Sequence, residues 1–148
     1  MSEFKLYKLL MKKLLLLLFL MSLVGCKEKK LSPEELQPFV GKWRLDAVEP
    51  AKDVKRWEIV PPKNAYLFEI RYDGVILDAN GLPACCAPKY LKSGKKVFLI
   101  EPKEALMQNP QCALVSCLAC DTWNMDVQGD TLIVSYCEGS GRNRFVKM

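Results

Sequence analysis

Residues 66–77, Tyr66-Leu67-Phe68-Glu69-Ile70-Arg71-Tyr72-Asp73-Gly74-Val75-Ile76-Leu77, decide the fold. Tyr66, Phe68, Ile70 and Tyr72 alternate with Leu67, Glu69 and Arg71, the period of a half-buried strand. Asp73-Gly74 follows, then a second apolar run. An Asp-Gly pair between two such runs predicts a β-hairpin with positive φ at both turn residues.

The same pattern recurs outward. Trp123, Met125 and Val127 alternate with polar neighbours, Gly129-Asp130 turns the chain, and Leu132, Val134 and Tyr136 return. Tyr90-Leu91 and residues 96–100 form another pair through Ser93-Gly94. Trp43, Leu45 and Ala47 alternate in a first strand, residues 142–147 close the chain through Phe145 and Val146, and residues 57–60 suit a further strand inside the long connection 48–65. Helix is confined to Ser32-Pro33-Glu34-Glu35, which combines an N-cap serine, proline at the first helical position and glutamate at the third; Pro38 stops it within two turns. A helical turn is also expected at 104–107, between Pro102 and Pro110. About seven or eight short antiparallel strands with almost no helix give an all-β chain, a small antiparallel up-and-down β-barrel.

The N-terminus is of a different kind. Leu14 to Gly25 is almost continuously apolar, is preceded by Lys12-Lys13 and is followed by Lys27-Glu28-Lys29-Lys30. It is shorter than the roughly 20 residues a spanning helix needs, so it reads as a cleaved export signal. Two starts fit, Met1 and Met11; the second gives the compact Met-Lys-Lys form. The chain therefore divides into a signal peptide at 1–25, a tether at 26–31 and a domain at 32–148.

Half of the residues are hydrophobic and 26% are charged, the composition of a globular protein. Four lysines and one glutamate lie before residue 26, so the mature chain keeps 18 basic and 16 acidic side chains, near neutrality. Without a basic face interleaved with aromatics, no nucleic-acid partner is expected. Histidine is absent, which removes serine–histidine chemistry and the commonest general base. Asp121, Asp126, Glu69 and Asp78 read as solvated carboxylates, and no enzyme, cofactor or metal site is expected.

Seven cysteines are present. Setting Cys26 aside leaves Cys85, Cys86, Cys112, Cys117, Cys120 and Cys137, an even number that in an exported domain predicts three disulfides, with 15 pairings open. A bridge between the neighbours Cys85 and Cys86 is disfavoured by strain. Cys117-Leu118-Ala119-Cys120 has redox spacing but lacks the strand-before, helix-after setting that activates such thiols. Zinc held by Cys85, Cys86, Cys117 and Cys120 would need an adjacent pair instead of a spaced one.

Leu23-Val24-Gly25-Cys26 resembles the lipobox of bacterial lipoproteins. The resemblance implies a diacylglyceryl group on Cys26, cleavage before it and an acylated (palmitate-type) new amino group. Acyl chains bind a bilayer at about 0.8 kcal/mol per methylene, so two or three of them hold a protein without a spanning helix. Lys27 after the lipid cysteine, in place of an inner-membrane aspartate, points to the outer membrane. Lys27-Glu28 is similar to the surface-export tag of some Bacteroidetes lipoproteins.

Gly41-Lys42-Trp43, after the capped helix and at the start of the first strand, resembles the G-x-W signature of lipocalins and the wider calycin group. Residues 136–147 are similar to the end of small lipocalin-like lipoproteins of Bacteroidetes. The resemblance implies that Trp43 closes one end of the barrel with Arg142 or Arg144 across its ring, and that the interior carries a small hydrophobic ligand. The interior stripe is then Tyr66, Phe68, Ile70, Trp123 and Met125. The alternative is an envelope interaction or structural lipoprotein with a filled core, meeting another protein through disulfide-stiffened loops, especially 48–65 and 80–88.

Overall fold

Trp43 and Ala47 point inward from an eleven-residue strand, β2 (Gly41–Ala51), which is the spine of the domain. The computed structural model describes residues 11–13, 29–51, 54–117, 120–137 and 139–148. Cys26 and the expected signal lie outside the described residues, as does the proposed cleavage point. Among the described residues no helix is long and apolar enough to cross a membrane.

A two-residue strand, β1 (Lys29–Lys30), comes first, followed by the one-turn helix α1 (Pro33–Leu36). The expected capping box is present: Glu35 N donates to Ser32 Oγ (3.3 Å), and Ser32 N donates to Glu35 Oε2 (3.0 Å). A 3-10 turn at Gln37–Phe39 absorbs Pro38. Then come β2, β3 (Glu58–Ile59), β4 (Leu67–Ile70), β5 (Ile76–Asp78), β6 (Tyr90–Ser93), β7 (Lys96–Leu99), β8 (Thr122–Gln128), β9 (Thr131–Ser135) and β10 (Ser140–Lys147).

The fold is mostly β, in one curled sheet that forms an open half-barrel. The strand order is β1-β7-β6-β8-β9-β10-β2-β4-β5, with β3 on the side of β2. The first and last long strands meet inside the sheet, β10 lying antiparallel to β2 from Ser140↔Ala51 to Lys147↔Trp43. Two parallel ladders, β6 with β8 and β1 with β7, overturn the expectation that every neighbour is antiparallel. The β6–β8 ladder arises from the connection through residues 100–121, long enough to carry the chain past β6 so that β8 starts beside Tyr90; β1 adds to the outer edge of β7 from the N-terminal side of the chain. Among the described residues no ladder joins β5 to the β1–β7 end, so the curl is open there.

The Asp73-Gly74 turn forms, with a correction. Only Gly74 has positive φ (81°), and five residues, 71–75, connect β4 to β5 through Gly74 N to Arg71 O (2.9 Å) and Arg71 N to Val75 O (2.9 Å). Asp73 needs no positive φ because the connection is not a two-residue turn; its buried carboxylate accepts from Arg71 Nη2 (3.0 Å), Val75 N (3.4 Å) and Lys103 N (3.3 Å). The helical turn expected at 104–107 is absent; the 3-10 turn lies later, at Pro110–Leu114, capped by the Asn109 side chain (3.1 Å from Gln111 N).

The core gathers on the concave face. Leu36, Trp43, Ile70, Leu91, Leu132, Val134 and Phe145 are fully buried, with Phe39, Phe68, Trp123 and Met125 close behind. Burying side chains of this size contributes about 1.5–3 kcal/mol each.

Candidate functional site

Three aromatic side chains meet where β8 begins and β9 ends. Alternation puts Trp123, Met125 and Val127 of β8 on the concave face, with Val134 opposite Met125 and Leu132 opposite Val127 on β9; Tyr136 continues that alternation one step past the end of β9. Tyr136 packs edge-on to Trp123 with ring centres 4.7 Å apart, and Trp123 meets Phe68 at 5.9 Å. Phe68 in turn contacts Phe145 at 4.7 Å and Tyr66 at 5.9 Å. Edge-to-face pairs of this kind add about 0.5–1.5 kcal/mol each beyond their burial.

Above this stack is a pocket of about 340 Å³, lined by Tyr66, Ala84, Ser116, Trp123, Tyr136 and the cysteines 86, 120 and 137. That volume lies at the lower end of the range of small-molecule sites. Of the expected interior stripe, the structure brings Tyr66 and Trp123 to the pocket. Phe68 (2% exposed), Ile70 (0%) and Met125 (4%) are not among the lining residues and are buried in the core. The concave core beneath the pocket is thus filled by side chains; an adjoining groove of about 460 Å³, lined by Tyr90, Lys92, Asp121 and Asn124, shares Cys120 and Cys137 with it.

Tyr136, Ala84 and Ser116 were not among the expected site residues. Tyr136 could have been found from the alternation of Leu132, Val134 and Tyr136. Ala84 and Ser116 had no signal, because only the folded crossover brings residues 84 and 116 to the rim.

Burial pushes the Tyr136 phenol well above its ordinary value of 10, with the Tyr66 hydroxyl adding to the effect. Burial also raises Tyr66, helped by the Asp78 charge. Both stay neutral over the physiological range and present hydroxyls that donate or accept beside an apolar indole.

Cys120–Cys137 ties the start of β8 to the end of β9, and Cys86–Cys117 ties the two sides of the rim. The third bridge, Cys85–Cys112, secures the 3-10 turn. All six candidate cysteines are thus paired; Cys117 and Cys120 are not joined to each other, and a zinc site or a redox dithiol would need thiols that these bridges occupy. The bridges mark an oxidising, extracytoplasmic location. The crossover is further held by the buried Asn109 amide, which donates to Asp78 Oδ2 (3.0 Å) and Pro83 O (2.9 Å).

Trp43 is fully buried, and its indole Nε1 donates to Phe39 O at 2.8 Å. The cation over its ring is Lys147, with Nζ 5.4 Å from the centre. This corrects the expectation for Arg142 and Arg144, which lie instead over Trp57, at 5.3 and 5.2 Å. Alternation along β10 is the reason: Lys147 pairs with Trp43 and shares its face with Phe145, so Arg144 and Arg142, an odd number of steps away, point to the other face. A β-bulge beside them leaves Asp46 unmatched on β2, since Ala47 pairs with Arg144 but Leu45 with Phe145. Phe145 and Lys147 thus face Trp43, while Arg144 binds Asp46 (2.8 and 2.6 Å) and Arg142 binds the buried Glu49 (2.5 and 3.0 Å).

The carboxylates read as solvated have local duties. Asp78 accepts from Asn80 N and Leu82 N in the turn after β5, and Asp121 pairs with Lys89 at 3.3 Å. No protein-family model, curated protein or solved structure matches the chain.

Proposed function

We propose that this protein is a lipid-anchored extracytoplasmic binding protein of the bacterial envelope, held in the outer membrane by acyl chains on Cys26, and that it binds a small hydrophobic ligand. The carrying observation is the pocket of about 340 Å³ framed by Tyr66, Trp123 and Tyr136 above the filled core of the half-barrel. An indole floor with two neutral phenols suits a compact apolar or aromatic molecule bearing one or two polar atoms. Disulfides on both sides of the rim support preorganisation, which lowers the ordering cost of binding. Trp43, buried at the start of the first long strand beneath a cation from the last strand, supports reading the half-barrel as a lipocalin-like cup.

The test is titration of the mature protein with 8-anilinonaphthalene-1-sulfonate, a small apolar fluorophore. Saturable binding to the parent, weakened at least tenfold by Ser116→Trp, which fills the rim from an exposed loop position, is expected. Equal binding by both proteins would remove the pocket from the account.

A second reading, an interaction lipoprotein with a filled core, is favoured by one feature: the bridged crossover exposes Met107 (72%) and Leu114 (89%). In that case the fluorophore would respond to Leu114→Ser and not to Ser116→Trp.

A further inference from the structure

The lipid-anchor reading leaves three chain steps between Cys26 and Lys29, and three steps reach at most about 10 Å. Lys29 and Lys30 are not a free leader. They pair in parallel with Lys96 and Val97 of β7, Leu31 N donates to Val97 O at 2.9 Å, and Leu31 is buried. The anchor therefore attaches to a sheet edge of defined direction, and a bilayer holding it lies against the end where β1 and β7 begin.

That end is basic. Lys30, Val97 and Lys92 stand in one cross-strand row over β1, β7 and β6, so Lys30 and Lys92 share a face about 10 Å apart. Lys95 is exposed in the β6–β7 turn, and Lys29 is exposed at the edge. Lys96 is paired with Glu35; among the described residues Lys29, Lys30, Lys92 and Lys95 form no ion pair. These five lysines less Glu35 exceed the net charge of the whole mature chain, 18 basic against 16 acidic side chains. The remainder is net negative, so an anionic surface attracts this end and repels the rest.

We infer that the β1–β6–β7 end is a docking surface for the anionic phospholipid headgroups of the membrane that holds the anchor. Each lysine near such a surface adds a modest, salt-sensitive attraction to that of the acyl chains. Along the β6–β8 ladder Trp123 pairs with Leu91, the neighbour of Lys92, and Lys92 lines an outer groove with Cys120 and Cys137, so the lysine surface borders the bridged rim of the aromatic pocket.

The inference rests on the lipid-anchor reading, and the experiment separates the two. Mature protein is reconstituted in vesicles of phosphatidylethanolamine with phosphatidylglycerol, or of phosphatidylcholine alone. Its lysines are acetylated with a water-soluble ester, and site labelling is read by mass spectrometry beside the intact mass. Labelling of Lys29, Lys30, Lys92 and Lys95 is expected to slow at least fivefold on the anionic vesicles and to recover in 0.5 M salt. Lys63 and Lys89, elsewhere on the surface, should label equally on both. Equal labelling of the four lysines on an intact mass that includes acyl chains would overturn the docking surface alone. A mass without acyl chains would overturn the anchor and this placement with it.

Discussion

Lys147 places its ammonium 5.4 Å from the centre of the Trp43 ring, joining the last strand, β10, to the neighbouring β2. The two residues are in register, β10 against β2, and Trp43 is held from the other side by its bond to the Phe39 carbonyl. Trp43→Ala should lower unfolding stability by about 3–5 kcal/mol through the cavity it leaves. Lys147→Ala should cost about 0.5–1 kcal/mol, the value of a cation on an aromatic face near solvent. Urea denaturation followed by circular dichroism measures both. Comparable losses for the two variants would mean that Trp43 is not the core of this junction.

Gly141 predicts a backbone effect of another kind. A Cβ there would collide with the carbonyl oxygen of Glu49 and come within 2.8 Å of the Pro50 backbone, with no flexible side chain to yield. Gly141→Ala should therefore destabilise by about 1–3 kcal/mol, as overpacking does. At Gly139, φ is 78° but the space around a Cβ is open, so Gly139→Ala should cost about 1 kcal/mol from backbone strain alone. Thermal unfolding of the two variants decides the order.

Acid should weaken the fold partly through Glu49. The hydrogen bonds from Arg142 hold the Glu49 carboxyl below its ordinary value of 4.5, against the opposing effect of burial. A carboxylate whose pKa is depressed on folding contributes its full stability above the unfolded value, and loses it as pH falls toward the folded one. Urea midpoints should thus be flat just above pH 5 and fall as the pH drops below 4.5. Glu49→Gln should be less stable at pH 7 and show a shallower acid limb. An unchanged limb would assign the acid response elsewhere, Glu35 with its Lys96 partner being the next carboxylate whose pKa is lowered.

The three bridges close segments of 27, 31 and 17 residues. On the loop-entropy view each contributes about 3–4 kcal/mol, the longest slightly more than the shortest. Replacing Cys120 and Cys137 together by serine should lower the melting temperature and also weaken the fluorophore at the pocket, because both sulfurs line it. The pair Cys85 and Cys112, which does not line the pocket, should lower stability with a smaller effect on the fluorophore. Calorimetry and the fluorescence titration separate the two effects.

Local patterns carried most of the strands. Alternation with a glycine turn placed β4–β5, β6–β7 and β8–β9, and the Ser32-Pro33-Glu34-Glu35 run placed the helix, because each depends on neighbours within a few residues. What local pattern could not supply was the partner of each strand. The parallel β6–β8 ladder follows from where a long crossover returns, and nothing between Glu101 and Asp121 advertises that direction. The bulge at Asp46 was equally silent, whereas the facing of β10 was legible: with Phe145 inward, alternation turns Lys147 to Trp43 and Arg142 and Arg144 to the other face. At the site, the alternation of β8 and of the strand running into residue 136 made Trp123 and Tyr136 legible. Phe68, Ile70 and Met125 share the same concave face as the pocket, so periodicity could not tell core from lining. Even the cysteine count predicted three bridges without their pairing, since pairing is a property of the folded crossover.

The central claim is tested most directly by native mass spectrometry of the protein extracted from the membrane that produces it. The account predicts a chain that begins at Cys26, carries acyl chains, has no free thiol, and retains a small noncovalent adduct that is absent from the Ser116→Trp variant. A chain with an unprocessed N-terminus and titratable thiols at Cys117 and Cys120 would contradict it.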